Sequence, residues 1–103
     1  MTTDPQFGPA VMFGLGGVFV EALKDVSFRV APFDAAEAER MMGDIKSKKI
    51  LEGFRGMKAD KPSIIKTLVA VQKLAPLVKE IDINPLLTNQ DGSYAVDARI
   101  VLK

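Results

Sequence analysis

The stretch from Glu80 to Ile100, EIDINPLLTNQDGSYAVDARI, decides the fold prediction. It contains two apolar runs that are separated by NQDG at 89–92, a composition that is typical of a turn. A four-residue loop over NQDG pairs Thr88 with Ser93, so that paired residue numbers sum to 181 along the hairpin. In that register Asn84 lies opposite Asp97.

The same register places Asp82 opposite Arg99. A two-residue type I′ turn at Asp91-Gly92 is the alternative, and it would place Asp97 opposite Leu86. Asn84 and Asp97 share a face of the hairpin in either register. Strand alternation predicts one apolar core face, made of Ile81, Ile83, Leu87, Val96, Ala98 and Ile100.

The other face of the hairpin carries oxygen-rich side chains, among them Asn84 and Asp97. Directly opposed side chains have Cβ atoms about 4.5–5.5 Å apart, so these two can converge on one small cation. Magnesium takes oxygen ligands at about 2.0–2.1 Å and often completes its shell with water and substrate phosphates. The alternative is a solvated strand face, on which Asp82 and Arg99 form a surface ion pair worth about 0–1 kcal/mol.

The rest of the chain alternates strand and helix patterns. Two helices are predicted, one capped by Asp34 and one that opens at Asp60-Lys61-Pro62. In the second helix Leu68 and Gln72 lie along one side. Three strands are predicted before the hairpin, at Gly8 to Phe13, Val18 to Leu23 and Val26 to Ala31. The sequence therefore predicts one α+β domain over residues 1–103, a two-layer sandwich with about five antiparallel or mixed strands and both helices on one face.

Composition excludes several classes of function. The 103 residues include no Cys and no His, which removes thiolate chemistry, His-ligated zinc and a phosphohistidine on this chain. A net charge of +1 gives no argument for nucleic acid. No apolar stretch reaches the roughly 18 residues of a membrane span, and the start lacks a secretory leader. The expected location is the cytoplasm.

Three motifs together resemble a known family: EIDINPLL with AVDARI, the block FGPAVMFGLGGVFVEALKDVSFRVAPFD, and the loop KILEGFRG. They are similar, in the same order, to the C-terminal part of the ATP-grasp domain of ADP-forming acyl-CoA synthetases, relatives of the succinyl-CoA synthetase β subunit. The resemblance extends from about Phe7 to Ile100.

The resemblance implies roles for the hairpin residues. Asn84 and Asp97 would hold Mg²⁺ on the phosphates of ATP or ADP, and Asp82 would be catalytic, near a docked phosphohistidine loop. Arg99 would contact phosphate or serve only as a structural partner.

The glycines of GLGG are weaker evidence. Gly16 and Gly17 would lie beside the nucleotide phosphates in such a site, although GLGG alone predicts a flexible connection and matches neither a Rossmann fingerprint nor a P-loop. Glu21 fits the family pattern or is an exposed strand residue. The basic run of Lys46, Lys48 and Lys49 is expected to be a solvated helix end.

The resemblance also implies partners. These are the nucleotide, the first ATP-grasp subdomain, and the CoA-binding and phosphohistidine domains or subunit. Because the chain begins after the first subdomain, it is expected to be an expressed fragment or a shortened natural gene without full turnover. The rival hypothesis is a non-catalytic module that acts in assembly or binds nucleotide weakly. Its motivation is the strand GPAVMF, which would be an open sheet edge and could form a homo-oligomer. An unrelated small α+β protein is the third possibility.

Overall fold

A computed structural model describes residues 1–14, 25–46 and 59–103. Two helices and a set of short antiparallel strands fill these ranges, which confirms the α+β class. The predicted strand at 18–23 and the loop at 49–56 lie outside the described residues. The described elements are β1 (Thr2–Asp4), β2 (Gly8–Gly14), β3 (Val26–Val30), α1 (Ala35–Gly43), α2 (Lys61–Gln72), β4 (Val78–Ile83), β5 (Leu86–Asn89), β6 (Gly92–Ala95) and β7 (Ala98–Leu102).

The first sheet has the order β1-β2-β3, and all of its pairs are antiparallel. Strand β2, which contains GPAVMF, lies in the middle and pairs with β1 on one side and β3 on the other. The prediction that GPAVMF is an open edge is therefore wrong. The polar start of the chain, at Thr2–Asp4, supplies the strand that covers it.

Both helices begin where the sequence predicts, because each has an aspartate at its N-cap. The Asp34 carboxylate accepts a hydrogen bond from the Glu37 backbone N–H at 2.9 Å. The Asp60 carboxylate accepts one from the Ser63 backbone N–H at 3.3 Å. Pro62 occupies the first turn of α2, where its missing N–H costs no helical hydrogen bond.

One apolar core joins the two helices to a single face of the first sheet. Val11 of β2 faces both helices, and the apolar side of α1 is buried against it. Burial of a large apolar side chain contributes about 1.5–3 kcal/mol, so this cluster is the main source of stability in the described part of the chain. Its buried members are Val11, Ala38, Met41, Met42, Ile45, Ile64 and Leu68.

Strand β3 presents its polar face to α1, which alternation alone did not predict. Ser27 is only 6% exposed, and its hydroxyl donates to the Met41 carbonyl at 2.6 Å. Arg29 reaches Glu37 at 2.6 Å and Asp44 at 2.5 Å. Phe28, on the opposite face, is 59% exposed. The small Ser27 lets α1 approach closely, and the arginine then pairs with acidic residues of α1 and its end.

The C-terminal hairpin divides into two further sheets, β4–β7 and β5–β6, so the described strands form three small sheets rather than one of about five strands. A reciprocal backbone pair joins the first two sheets: the Met1 amino group donates to the Ile81 carbonyl at 2.7 Å, and the Ile81 N–H donates to the Met1 carbonyl at 2.9 Å. Opposed residues of antiparallel strands share a face, and Met1 packs on the helix-facing core. Ile81 therefore faces the helices, and its neighbour Asp82 lies on the open face of the sheet.

No helix in the described ranges is long and apolar enough to cross a membrane.

Candidate metal and phosphate site

The hairpin has the register that the four-residue loop predicts. In β4–β7, Asp82 pairs with Arg99. In β5–β6, Thr88 pairs with Ser93, and the ladder continues by one pair to Asn89 and Gly92. The alternative turn at Asp91-Gly92 is therefore excluded.

Asn84 and Asp97 lie at the junction between the two ladders and belong to neither of them. The Asn84 backbone N–H donates to the Asp97 carbonyl at 3.1 Å, which holds the two residues side by side. Both side chains are exposed, and neither makes a hydrogen bond or ion pair with any residue in the described ranges. A carboxylate and a carboxamide that are adjacent and unengaged fit two positions in the oxygen shell of Mg²⁺.

These two residues are too few to form a closed protein cage. Within residues 1–14, 25–46 and 59–103, no group of three or more Asp, Glu, His or Cys side chains is placed to hold a metal ion. The donor set therefore suits a cation whose remaining ligands come from water and from the phosphates of a substrate.

The junction also changes which residues of the hairpin are buried. Before it, Ile81 is buried and Ile83 is half-buried; after it, Leu86 and Thr88 are half-buried, while Leu87 is 58% exposed. The predicted core face alternates without interruption, so it is wrong beyond Ile83. Strand β5 turns Leu86 and Thr88 toward α2 and β6 turns Ser93 toward it, while β7 is mostly exposed. The predicted core residues that are exposed are Leu87, Val96, Ala98 and Ile100.

Asp82 and Arg99 occupy opposed positions on the open face, and both are exposed. Neither side chain forms a hydrogen bond or ion pair in the described part of the chain, so the predicted surface ion pair is absent there. Burial lowers the pKa of the Met1 amino group, and the carboxylates of Asp82 and Glu80 oppose that shift. Because neither side chain has a hydrogen-bond or ion-pair partner among the described residues, the Asp82 carboxylate and the Arg99 guanidinium are both available to a ligand on this face.

The other predicted residues divide into described and undescribed ones. Gly16, Gly17 and Glu21 lie outside the described residues, as do Lys48 and Lys49. Lys46 is exposed, as expected for a solvated helix end, and its backbone N–H donates to the Asp25 carboxylate at 2.6 Å.

A group of hydroxyls that the sequence patterns did not predict joins the hairpin to α2. The Ser63 and Ser93 hydroxyls lie 2.5 Å apart, and the Ser93 hydroxyl lies 3.1 Å from that of Thr88. The opposed Thr88 and Ser93 were an available indication, because cross-strand Thr–Ser pairs commonly share a hydrogen bond. The contribution of Ser63 comes from tertiary packing.

Comparison with known proteins gives a consistent result. The sequence model of the ATP-grasp domain family matches residues 1–102. The β subunit of acetate–CoA ligase [ADP-forming] I from Pyrococcus furiosus is 55% identical over 109 residues, which cover 99% of this chain and 46% of that subunit. Acetate–CoA ligase [ADP-forming] I from Archaeoglobus fulgidus is 50% identical, with 99% of this chain and 16% of that protein covered.

A solved structure agrees with these sequence relatives. It is the Ca. Korarchaeum cryptofilum dinucleotide forming acetyl-coenzyme A synthetase 1 in complex with coenzyme A and Mg-AMPPCP, with its phosphohistidine segment pointing towards the nucleotide binding site. It superposes with a TM-score of 0.92 at 46% identity over 99% of this chain and 50% of that chain. The chain thus spans about half the length of its β-subunit relatives.

Proposed function

Because this chain belongs to the ATP-grasp domain family, we propose that it is part of an ADP-forming acyl-CoA synthetase. Its role there is to supply the magnesium and phosphate side of the nucleotide site. The complete enzyme would interconvert acyl-CoA, ADP and phosphate with the free acid, CoA and ATP, and phosphoryl transfer would pass through a phosphohistidine on another domain. The 103 residues contain no histidine, so that group has to come from elsewhere.

The observation that carries the proposal is the pairing of Asn84 with Asp97. Their backbones are joined by one hydrogen bond of 3.1 Å, and both side chains are exposed and unengaged in the described ranges. An exposed carboxylate next to a carboxamide has no structural task in this hairpin, whereas a magnesium–nucleotide complex uses both as oxygen ligands. Bound Mg²⁺ would offset the charge of the nucleotide phosphates.

Asp82 and Arg99 extend this site along the open face. The Arg99 guanidinium can donate to phosphate oxygens, since it has no carboxylate partner in the described part of the chain. The Asp82 carboxylate can accept a hydrogen bond from an imidazole and so hold a docked phosphohistidine loop in orientation. Gly16 and Gly17 keep their assignment to the phosphate site from the family resemblance alone.

The proposed partners of residues 1–103 are those that the resemblance implies. They are the first ATP-grasp subdomain and the CoA-binding and phosphohistidine domains, which full turnover needs. Within the two-subdomain architecture that the resemblance implies, residues 1–103 form the C-terminal subdomain.

Calorimetric titration of Mg-AMPPCP into the 103-residue chain tests the proposal. We expect Asp97→Asn and Asn84→Ala each to weaken binding by about tenfold or more, which corresponds to about 1.4 kcal/mol. Chelation of the metal should abolish binding to the parent chain.

The matched control is Asp91→Asn, which removes one carboxylate from the exposed turn of the same hairpin. Its affinity should stay within about twofold of the parent chain, because Asp91 lies at the far end of β5–β6. Equal affinity in the parent, Asp97→Asn and Asn84→Ala chains would refute the assignment of the metal ligands. Absence of binding to the parent chain would refute a working half-site in this polypeptide.

A second candidate function is a non-catalytic module that acts in assembly. Exposed apolar side chains favour it: Met12 and Phe28 are opposed on the open face of the first sheet, and Leu87 and Tyr94 are opposed on the outer face of β5–β6. Contiguous exposed apolar patches mark surfaces that pack on another protein, and each of these pairs could form part of such a patch. Sedimentation and Mg-AMPPCP titration of the parent chain and of Phe28→Ser separate the two functions. An assembly module should form oligomers that Phe28→Ser loses, and it should not bind the magnesium–nucleotide complex.

A further inference from the structure

The spacing of Asn84 and Asp97 depends on two separately anchored ribbons. On one side of the junction, β4–β7 is fixed to the first sheet through the reciprocal Met1–Ile81 pair. On the other side, β5–β6 has no hydrogen bond to that sheet among the described residues. Across the junction itself run two backbone bonds of 3.1 Å, from the Asn84 N–H to the Asp97 carbonyl and from the Val96 N–H to the Pro85 carbonyl.

Ribbon β5–β6 is anchored instead to the N-terminus of α2. The Asp60 backbone N–H donates to the Asn89 carbonyl at 3.0 Å and lies 3.3 Å from the Thr88 hydroxyl. The Ser63 hydroxyl contacts the Ser93 hydroxyl at 2.5 Å, and Ser93 contacts Thr88 at 3.1 Å. These contacts lie on the half-buried face of the ribbon, where water competes less for the hydroxyls.

Each of the three hydroxyls, on Ser63, Thr88 and Ser93, has an acceptor for its proton. A hydroxyl donates one hydrogen bond and can accept two. The Ser63 hydroxyl can donate to Ser93 or to the Asp60 carbonyl at 2.9 Å. The Ser93 hydroxyl can donate to Thr88 or to Ser63, and the Thr88 hydroxyl lies 3.4 Å from the Gly92 carbonyl. The three hydroxyls are therefore satisfied in both proton arrangements.

We propose that the Ser63, Thr88 and Ser93 hydroxyls form a positioning clamp that sets the spacing of the Asn84–Asp97 pair. The clamp holds β5–β6 against α2 while β4–β7 is held by the first sheet, and the pair spans the junction between them. Residues that touch neither metal nor nucleotide would in this way tune the site for a small cation. The inference rests on the proposed function for its consequence, but its structural content can be measured without any ligand.

The first measurement is amide hydrogen exchange at Asn84 and Val96 in the 103-residue chain, compared with Ser93→Ala. Loss of the clamp should raise exchange at both amides by about tenfold, because local opening governs exchange at this junction. The matched control is Ser27→Ala, which removes another hydroxyl–backbone bond, of 2.6 Å, at a buried position under α1. It destabilises the fold without touching the ribbon, so the Asn84 and Val96 amides should keep their protection relative to the rest of the chain.

The second measurement is metal preference. Magnesium demands near-octahedral geometry at about 2.0–2.1 Å, whereas calcium accepts irregular shells at about 2.3–2.6 Å. A loosened pair should therefore lose Mg-AMPPCP affinity more than Ca-AMPPCP affinity. We expect Ser93→Ala to shift the magnesium-to-calcium affinity ratio by about fivefold toward calcium, Ser27→Ala to leave the ratio unchanged, and Ser93→Thr, which keeps the hydroxyl, to restore it.

The outcomes separate the clamp from the proposed function. Unchanged exchange at Asn84 and Val96 in Ser93→Ala, or an equal effect of Ser27→Ala, overturns the clamp. Faster exchange confined to Ser93→Ala supports it, and so does a shifted metal ratio. The proposed function is judged independently, by whether the parent chain binds magnesium–nucleotide at all.

Discussion

Replacing Gln72 with Leu should destabilise the chain by about 2–3 kcal/mol, although the two side chains have similar size. Gln72 ends α2, and its amide forms a two-way clamp on the backbone of Phe33. The Phe33 N–H donates to Gln72 Oε1 at 2.8 Å, and Gln72 Nε2 donates to the Phe33 carbonyl at 2.9 Å. These two bonds tie the C-terminal end of α2 to the segment between β3 and α1.

The magnitude follows from counting these bonds. A net contribution of about 1 kcal/mol per hydrogen bond gives about 2 kcal/mol, and a buried polar group without a partner adds a further penalty. Phe33 is only half-buried, so water relieves part of that penalty and the total stays near the lower end. Against a total stability of about 5–15 kcal/mol this is a large loss. A loss of about 2 kcal/mol should lower the Tm by about 8–16 °C, at about 4–8 °C per kcal/mol in a domain of this size.

Urea and thermal unfolding of Gln72→Leu, Gln72→Glu and Lys66→Leu measure the effect. Lys66 is exposed on the same helix, so Lys66→Leu should change stability by less than about 0.5 kcal/mol. The Gln72→Glu variant keeps the acceptor for the Phe33 N–H but loses the donor to the carbonyl at neutral pH. The introduced carboxyl should have a raised pKa in the folded state, so the stability it provides should be lost as the pH rises through that value. Equal stability of Gln72→Leu and the parent chain would refute the reasoning.

Two further predictions concern α1 and its surroundings. Hydrogen bonds from Arg29 and Arg40 hold the pKa of Glu37 below its ordinary value of 4.5, so its stabilisation is present above pH 4.5 and is lost as the pH falls through the lowered pKa. Glu37→Gln should therefore lower stability at pH 7 and converge with the parent chain in acid, and parallel unfolding curves at all pH values would contradict this. Met41→Ala, at a fully buried position, should cost about 2–5 kcal/mol, whereas Phe28→Ala should cost less than about 1 kcal/mol because its ring is mostly exposed. Comparable losses in urea unfolding would show that the open face is covered.

The hairpin register and the helix starts could be predicted because both depend on neighbouring residues. The turn residues at 89–92 and strict alternation fix which residues oppose each other, and so Asp82 pairs with Arg99 as predicted. The N-cap aspartates Asp34 and Asp60 start their helices through contacts within one turn. The side-by-side placement of Asn84 and Asp97 follows from the register in the same way.

What the sequence could not provide is which side of β3 and of β5 packs on the helices, and what Gln72 contacts. The apolar residues at Phe28 and Leu87 alternate as core residues do, but α1 covers Ser27 and α2 covers Thr88. Gln72 was placed on an apolar helix side, yet its amide holds a backbone segment 39 positions away in sequence. Such choices are made between elements distant in the chain, so no local pattern contains them.

One physical basis explains two features of the chain. These are the exposed apolar residues of β3 and β5, and the pair Asn84 and Asp97, whose side chains have no partner among the described residues. An apolar strand face stabilises a protein only when something covers it, and a carboxylate that faces solvent without a partner adds little to folding. In this chain α1 and α2 occupy one face of the first sheet. The faces that they leave open carry Phe28 at one end and Asp82 beside the junction at the other. A chain that spans about half of its β-subunit relatives thus has its structural core on the helix side and its candidate chemistry on the open side. The proposed hydroxyl clamp on α2 connects the two, because its hydrogen bonds join the candidate metal-binding hairpin to the helix that completes the core.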